Sequence, residues 1–186
     1  MAPVQPVMPV KLLVAVLWAD PQALANAVDR MTAQWGPIDF QGADAPFDMT
    51  LYYEPEMGAG LQRRLVAFER LVPPESLVEA KRCCNAWEDL DLAETSGRKV
   101  NLDVGYLDHN KVVLASVKFA GQKIHLGQGI YADLVARYEA GKYQPFPWTF
   151  PDFKTGRYDA DLVAIRTRYL AQLKQYRASQ HEQEAC

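Results

Sequence analysis

The chain is 186 residues long, enough for one ordinary domain, with 49% hydrophobic and 23% charged residues, a globular mix unlike that of disordered or fibrous chains. At this length about 70% of the unfolded surface can be buried, so no disulfide or metal staple is required. Its 20 Lys and Arg against 23 Asp and Glu give a formal charge of −3, which argues against a duplex nucleic-acid binder, whose footprint is a basic surface.

Residues 1–10 (MAPVQPVMPV) carry three prolines and are expected to form an irregular arm. Lys11 to Trp18 is a short apolar run, the pattern of a central strand covered on both faces. Leu12 to Ala19 is too short to span a bilayer, and a signal peptide is disfavoured because Leu17 sits where a small residue would precede the cut. Asp20-Pro21 then opens a helix, with Asp20 as cap and Pro21 in the first turn. Leu24, Val28, Met31 and Trp35 keep helical spacing, and Gly36-Pro37 stops it.

Ile38 to Ala45 is ambiguous, and Phe47 to Tyr53 (FDMTLYY) reads as a second strand. Glu54 to Gly58 breaks that run. A helix is expected over Gly60 to Leu71, with Leu61, Leu65, Phe68 and Leu71 inward, and another over Glu75 to Leu90 beyond Pro73-Pro74. Ser96-Gly97 closes this half. Arg98–Leu107, Lys111–Phe119, Gln122–Leu126 and Ile130–Tyr138 then read as strands joined by turns at Asp108-His109-Asn110 and Ala120-Gly121, although Ile130–Arg137 also suits a short helix. Pro145, Pro147 and Pro151 hold an aromatic loop with Phe146, Trp148, Phe150 and Phe153. A closing helix covers Asp159 to Tyr176, and a polar tail begins at Ala178. The sum is a single α+β domain over residues 1–186: an N-terminal β-α unit, helices packed on a mainly antiparallel sheet, and a C-terminal meander.

Strand parity sorts side chains onto faces. Val100, Leu102, Val104 and Tyr106 form an apolar face opposite Lys99, Asn101, Asp103 and Gly105. If helices cover the apolar side, the other side gathers Asn101, Asp103, Ser116, Lys118, Lys123 and His125. Such a face could hold a phosphate or polar metabolite, or it could simply meet solvent. On the helix near residues 75–90, Lys81, Asn85 and Glu88 line one edge, either a cleft wall or a salt-bridged shoulder. Glu54 and Glu56 could bind Mg²⁺ or share acid–base work, or favour the positive end of a helix. The aromatic loop could stack a ring or cap the core.

The sequence has no G-x-x-x-x-G-K-[ST] loop and no G-x-G-x-x-G after a strand. His109, His125, His181 and the cysteines lack zinc-ligand spacing, so no metal centre is expected. Cys83, Cys84 and Cys186 form no disulfide framework, which points to a reducing, cytoplasmic setting.

Several stretches, YYEPEMG (Tyr52–Gly58), RKVNLDVGYL (Arg98–Leu107), LASVK (Leu114–Lys118), GIYADL (Gly129–Leu134) and WTFPDF (Trp148–Phe153), resemble a small prokaryotic family of uncharacterised proteins, a domain of unknown function. The resemblance runs from Lys11 to about Tyr169. In that family proline is usual where Val104 stands and tyrosine where His125 stands. Members often carry the label "GTP-binding protein". The echo here is Asp39-Phe40-Gln41-Gly42, a D-x-x-G match without an N-K-x-D partner. The resemblance implies no established activity or cofactor, but its motifs draw attention to Glu54, Glu56, Arg98, Asn101, Asp103, Lys118 and Asp152. With Lys81 these are the candidate ligand-binding residues. The expected partner is a small anionic metabolite or nucleotide, with no membrane and no duplex nucleic acid. The alternative is a non-catalytic protein-interaction module.

Overall fold

The computed structural model describes residues 3–94 and 97–184. The first apolar run forms β1 (Val10–Trp18), and its alternation decides the architecture. Leu12, Val14 and Val16 enter one hydrophobic cluster, and Leu13 and Ala15 enter another. A strand apolar on both faces must be covered on both.

Asp20 accepts the Gln22 N–H at 2.8 Å and caps α1 (Pro21–Trp35), which ends at Gly36 with φ 90°. Two short strands follow, β2 (Ile38–Gln41) and β3 (Ala45–Pro46), then a single helical turn, α2 (Glu54–Met57). The long strand β4 (Gln62–Val72) precedes α3 (Ser76–Glu94). The second half is β5 (Val100–Leu107), β6 (Lys111–Ser116), β7 (Ile124–Gly127), β8 (Ile130–Glu139), β9 (Lys142–Pro145), the turn α4 (Pro151–Lys154) and the long α5 (Asp159–Glu184).

The strands make one nine-stranded sheet in the order β2-β4-β1-β5-β6-β8-β7, with β3 beside β4 and β9 beside β8. Each of these pairings is antiparallel. Leu24, Ala27 and Met31 of α1 and Leu77, Ala80 and Cys84 of α3 pack on one face, and Leu162, Ile165, Tyr169 and Leu173 of α5 on the other. The fold is a single α+β domain. Among the described residues no helix is long and apolar enough to cross a membrane.

Lys11 ties the two ends of this arrangement together. It is 0% exposed, and its ammonium donates to Asp39 Oδ2 at 2.7 Å, the Phe68 carbonyl at 2.8 Å and Gln172 Oε1 at 2.9 Å. All three donors of the group are used.

Three expected elements differ. Gly60–Leu71 is not a helix but, from Gln62 on, strand β4. Leu65 and Ala67 join one cluster while Val66 and Phe68 join the other, and a run apolar on both faces has no period that separates strand from helix. Its pairing with β1 and β2 overrides the helix-forming residues. Phe47–Tyr53 is not a strand. The Phe47 N–H bonds to the Leu61 carbonyl at 2.8 Å, and Phe47, Tyr53, Met57 and Leu61 gather over Leu17. The closing helix does not stop at Tyr176 but continues to Glu184 through a stretch without Gly or Pro, so the described part of the expected polar tail is helical. Ile130–Arg137 is strand, and β9 returns beside it through Ala140 and Gly141, both at positive φ. Ser96 and Cys186 lie outside the described residues.

The sheet forks between β5 and β6. β5 lies against β1 from Val100 to Leu107, but it meets β6 only at Gly105, Tyr106 and Leu107. A Cβ on Gly105 would stand 2.2 Å from the Val113 carbonyl oxygen and 2.5 Å from Leu114 Cδ2. Glycine is therefore required at the last point of contact before the strands part. Gly105→Ala is expected to lower stability by about 1–3 kcal/mol through overpacking, read as a lower urea midpoint at unchanged slope.

Candidate functional site

The fork leaves a problem of hydrogen bonding. Among the described residues no strand pairs with Val100–Val104 on the β6 side, and buried backbone groups without partners cost about 1–3 kcal/mol each. α3 supplies substitutes at Leu102. Lys81 Nζ donates to the Leu102 carbonyl at 3.0 Å, and the Leu102 N–H donates to Glu88 Oε1 at 2.7 Å. Two turns of helix separate Lys81 from Glu88 and bring them to one side. Each is 6% exposed. The space between the parted strands is a cleft of about 360 Å³.

Arg98 closes the α3 side. Its Nη1 donates to Glu88 Oε2 at 2.7 Å and to Asn101 Oδ1 at 2.9 Å, and its Nη2 donates to Glu56 Oε2 at 2.9 Å. The guanidinium lies 5.7 Å from the Tyr53 ring centre. Burial pushes the Glu88 carboxyl above the ordinary glutamate range, with Lys81, the Leu102 N–H and Arg98 pulling it back.

The opposite wall comes from the β6–β8 side. Lys123 Nζ donates to Ser116 Oγ at 2.8 Å and stands 3.3 Å from Asp133 Oδ2. Lys118 is exposed, 3.5 Å from the Tyr52 hydroxyl and 5.2 Å from that ring's centre. Three buried atoms of this lining have no protein partner: Arg98 Nε, Asn101 Nδ2 and Asp133 Oδ1.

Behind Asp103 runs a second buried network. Arg63, 2% exposed, donates to Asp103 Oδ2 at 2.9 Å and Asp152 Oδ2 at 2.6 Å, and its guanidinium lies 4.6 Å from the Phe47 ring centre. The Tyr158 hydroxyl donates to Asp152 at 3.1 Å. Arg63 thereby fixes one oxygen of Asp103 and sets that carboxylate at the cleft.

Of the eight candidate residues, Lys81, Arg98, Asn101, Asp103 and Lys118 line the cleft. Glu56 reaches it through Arg98, and Asp152 sits behind it through Arg63. Glu54, on the same helical turn as Glu56, is not among the lining residues. The polar groups do not spread over a sheet face, because α5 covers that face and its middle is apolar, with Leu13, Ala15, Leu65, Ala67 and Leu114. They collect instead where the sheet divides. His125 stays outside, exposed beside Tyr131 with ring centres 5.1 Å apart. The aromatic loop divides its work: Phe153 packs in the core and Phe150 lines the cleft.

Arg63 and Asp133 escaped the sequence reading. Arg63 lay in the expected helix, where its two carboxylates cannot be foreseen. Asp133 sits within GIYADL, and a carboxylate in a strand interior was the available signal. The D-x-x-G match is accounted for by packing. Asp39 holds Lys11, and a Cβ on Gly42 would stand 2.3 Å from Asp161 Oδ2. Among the described residues no group of three His, Cys, Asp or Glu side chains is placed to hold a metal ion.

The fold and cleft define a small α+β domain with a charged pocket cut through its sheet. The chain belongs to the family described as Domain of unknown function (DUF4416), whose model matches residues 8–169. No curated protein and no solved structure matches it.

Two outcomes test this description. Arg63→Met leaves two carboxylates facing each other without their cation, and a loss of about 3–5 kcal/mol is expected in urea unfolding. The folded Glu88 carboxyl keeps its proton to higher pH than the unfolded one, so its contribution to stability falls as pH rises from the ordinary glutamate range through its elevated value. Glu88→Gln is expected to remove that segment, seen by comparing unfolding free energies of both proteins from about pH 4 to pH 8.

Proposed function

We propose that the fork cleft binds a small anionic metabolite, with nucleotides within that class. Lys81 carries the reading. The residue is 6% exposed and lines the cleft, yet its ammonium gives one donor to protein, at the Leu102 carbonyl. An ammonium has three. Among the described residues it makes no ion pair, Glu88 acting on it only at longer range, and a buried cation with no counter-charge in contact is costly. An anion in the cleft supplies that charge through charge-assisted bonds.

The surroundings agree with this. Four cations line the cleft (Lys81, Arg98, Lys118 and Lys123) against three carboxylates (Glu88, Asp103 and Asp133). Lys118 stands at the mouth without a carboxylate partner among the described residues. A volume of about 360 Å³ falls within the range of small-molecule sites. A second reading, a non-catalytic protein-interaction module, draws on one observation: Val117, Phe119, Ile124 and Leu126 are exposed together at the β6–β7 end of the sheet.

Thermal melts with millimolar GTP plus Mg²⁺, ATP and a sugar phosphate separate the two. A ligand at about 100 times its Kd adds about 2.7 kcal/mol, expected to raise Tm by about 5–10 °C. Lys81→Met should abolish the rise and Lys118→Ala should reduce it. A rise with GTP alone selects a nucleotide, and a rise with all three selects the phosphate. No rise with any overturns the ligand reading in favour of a protein partner.

A further inference from the structure

The cleft holds unused hydrogen-bonding capacity of two opposite kinds. Asn101 and Asp133 are each 5% exposed, and each has one polar atom clamped and the other idle. Arg98 holds Asn101 Oδ1 at 2.9 Å, which orients the amide and leaves Nδ2 as a donor without an acceptor. Lys123 holds Asp133 Oδ2 at 3.3 Å, which leaves Oδ1 as an acceptor without a donor. Buried polar atoms are nearly always paired, and exceptions beside a pocket call for a partner from outside the protein.

We infer that the ligand is a phosphorylated polyol, of the sugar-phosphate class. The inference rests on the reading of the cleft as an anion site and adds what the rest of the ligand must be. A hydroxyl both donates and accepts, so it answers Asn101 and Asp133 alike. A second phosphate or carboxylate would answer Asn101 but would set like charge against Asp133 and Asp103. An ammonium would answer Asp133 but would face Lys81 and Lys123. Asp103 lines the same cleft with one oxygen fixed by Arg63, the arrangement by which carboxylates elsewhere receive ribose hydroxyls. The anionic end then belongs with Lys81 and Lys118, and the hydroxylated end with Asn101, Asp103 and Asp133.

Isothermal titration of the wild-type protein with ribose 5-phosphate, glucose 6-phosphate and ethyl phosphate tests this directly. At least one sugar phosphate is expected to bind about tenfold or more tightly than ethyl phosphate, the worth of one or two hydrogen bonds to buried groups. In Asn101→Leu, which keeps the size of the side chain and removes the idle donor, that ratio should fall towards one. Asp133→Leu, which removes the idle acceptor, should do the same, with circular dichroism showing that both variants keep the fold. Equal affinity for sugar phosphates and ethyl phosphate in the wild type overturns the inference and leaves the anion site standing. A ratio that survives both substitutions overturns the assignment of hydroxyls to Asn101 and Asp133. Binding of none of the three overturns the anion site and the inference together.

Discussion

The backbone N–H and C=O of Leu102 are the constraint around which this molecule is arranged. Once β6 parts from β5 at Gly105, a strand in the middle of the sheet is left with a bare edge. Continuing the ladder would close the cleft, and leaving the edge dry would cost a donor and an acceptor. The chain adopts a third solution, in which a helix on one face reaches into the gap with Lys81 and Glu88. Both side chains are ionisable where neutral ones would serve the backbone equally well. That choice brings Arg98 to balance Glu88, and Glu56 and Asn101 to hold Arg98. A local defect in pairing has been turned into a polar cavity inside an otherwise apolar sheet.

The buried cations of the domain show what separates support from recognition. Lys11 has all three donors engaged, by a carboxylate, a carbonyl and an amide. Arg63 bridges two carboxylates and lies beside an aromatic ring. Both are met by carboxylates at hydrogen-bond distance, although the Nε of Arg63 is left without a partner. Lys81 is buried as well but is met by one carbonyl. A carboxylate in contact, rather than burial alone, separates these two from the group that waits for something.

The legibility of the sequence followed the physics of each segment. β1 and α1 could be read because their signals are local: an apolar run, a capping Asp20, Pro21 in the first turn and a stop at Gly36. β4 could not, since Leu65, Val66, Ala67 and Phe68 are buried on both sides and strand period disappears when both faces are apolar. The parity of β5 put Asn101 and Asp103 together, and the helical spacing of α3 put Lys81 with Glu88. What neither pattern holds is the fork that makes them neighbours, which depends on where β6 stops pairing. Arg63 was hidden for the same reason: its two carboxylates come from residues 40 and 89 positions away.

The three bonds of Lys11 also bear on how the chain comes off the ribosome. Its acceptors lie in β2, in β4 and, 161 residues downstream, in α5. Until α5 has been synthesised, the face of β1 that holds Leu13 and Ala15 has no cover, and burying the ammonium there would leave a donor unmet. The first strand made is thus held in waiting for the last helix. Until that layer arrives, the uncovered apolar face leaves a half-made chain prone to aggregation.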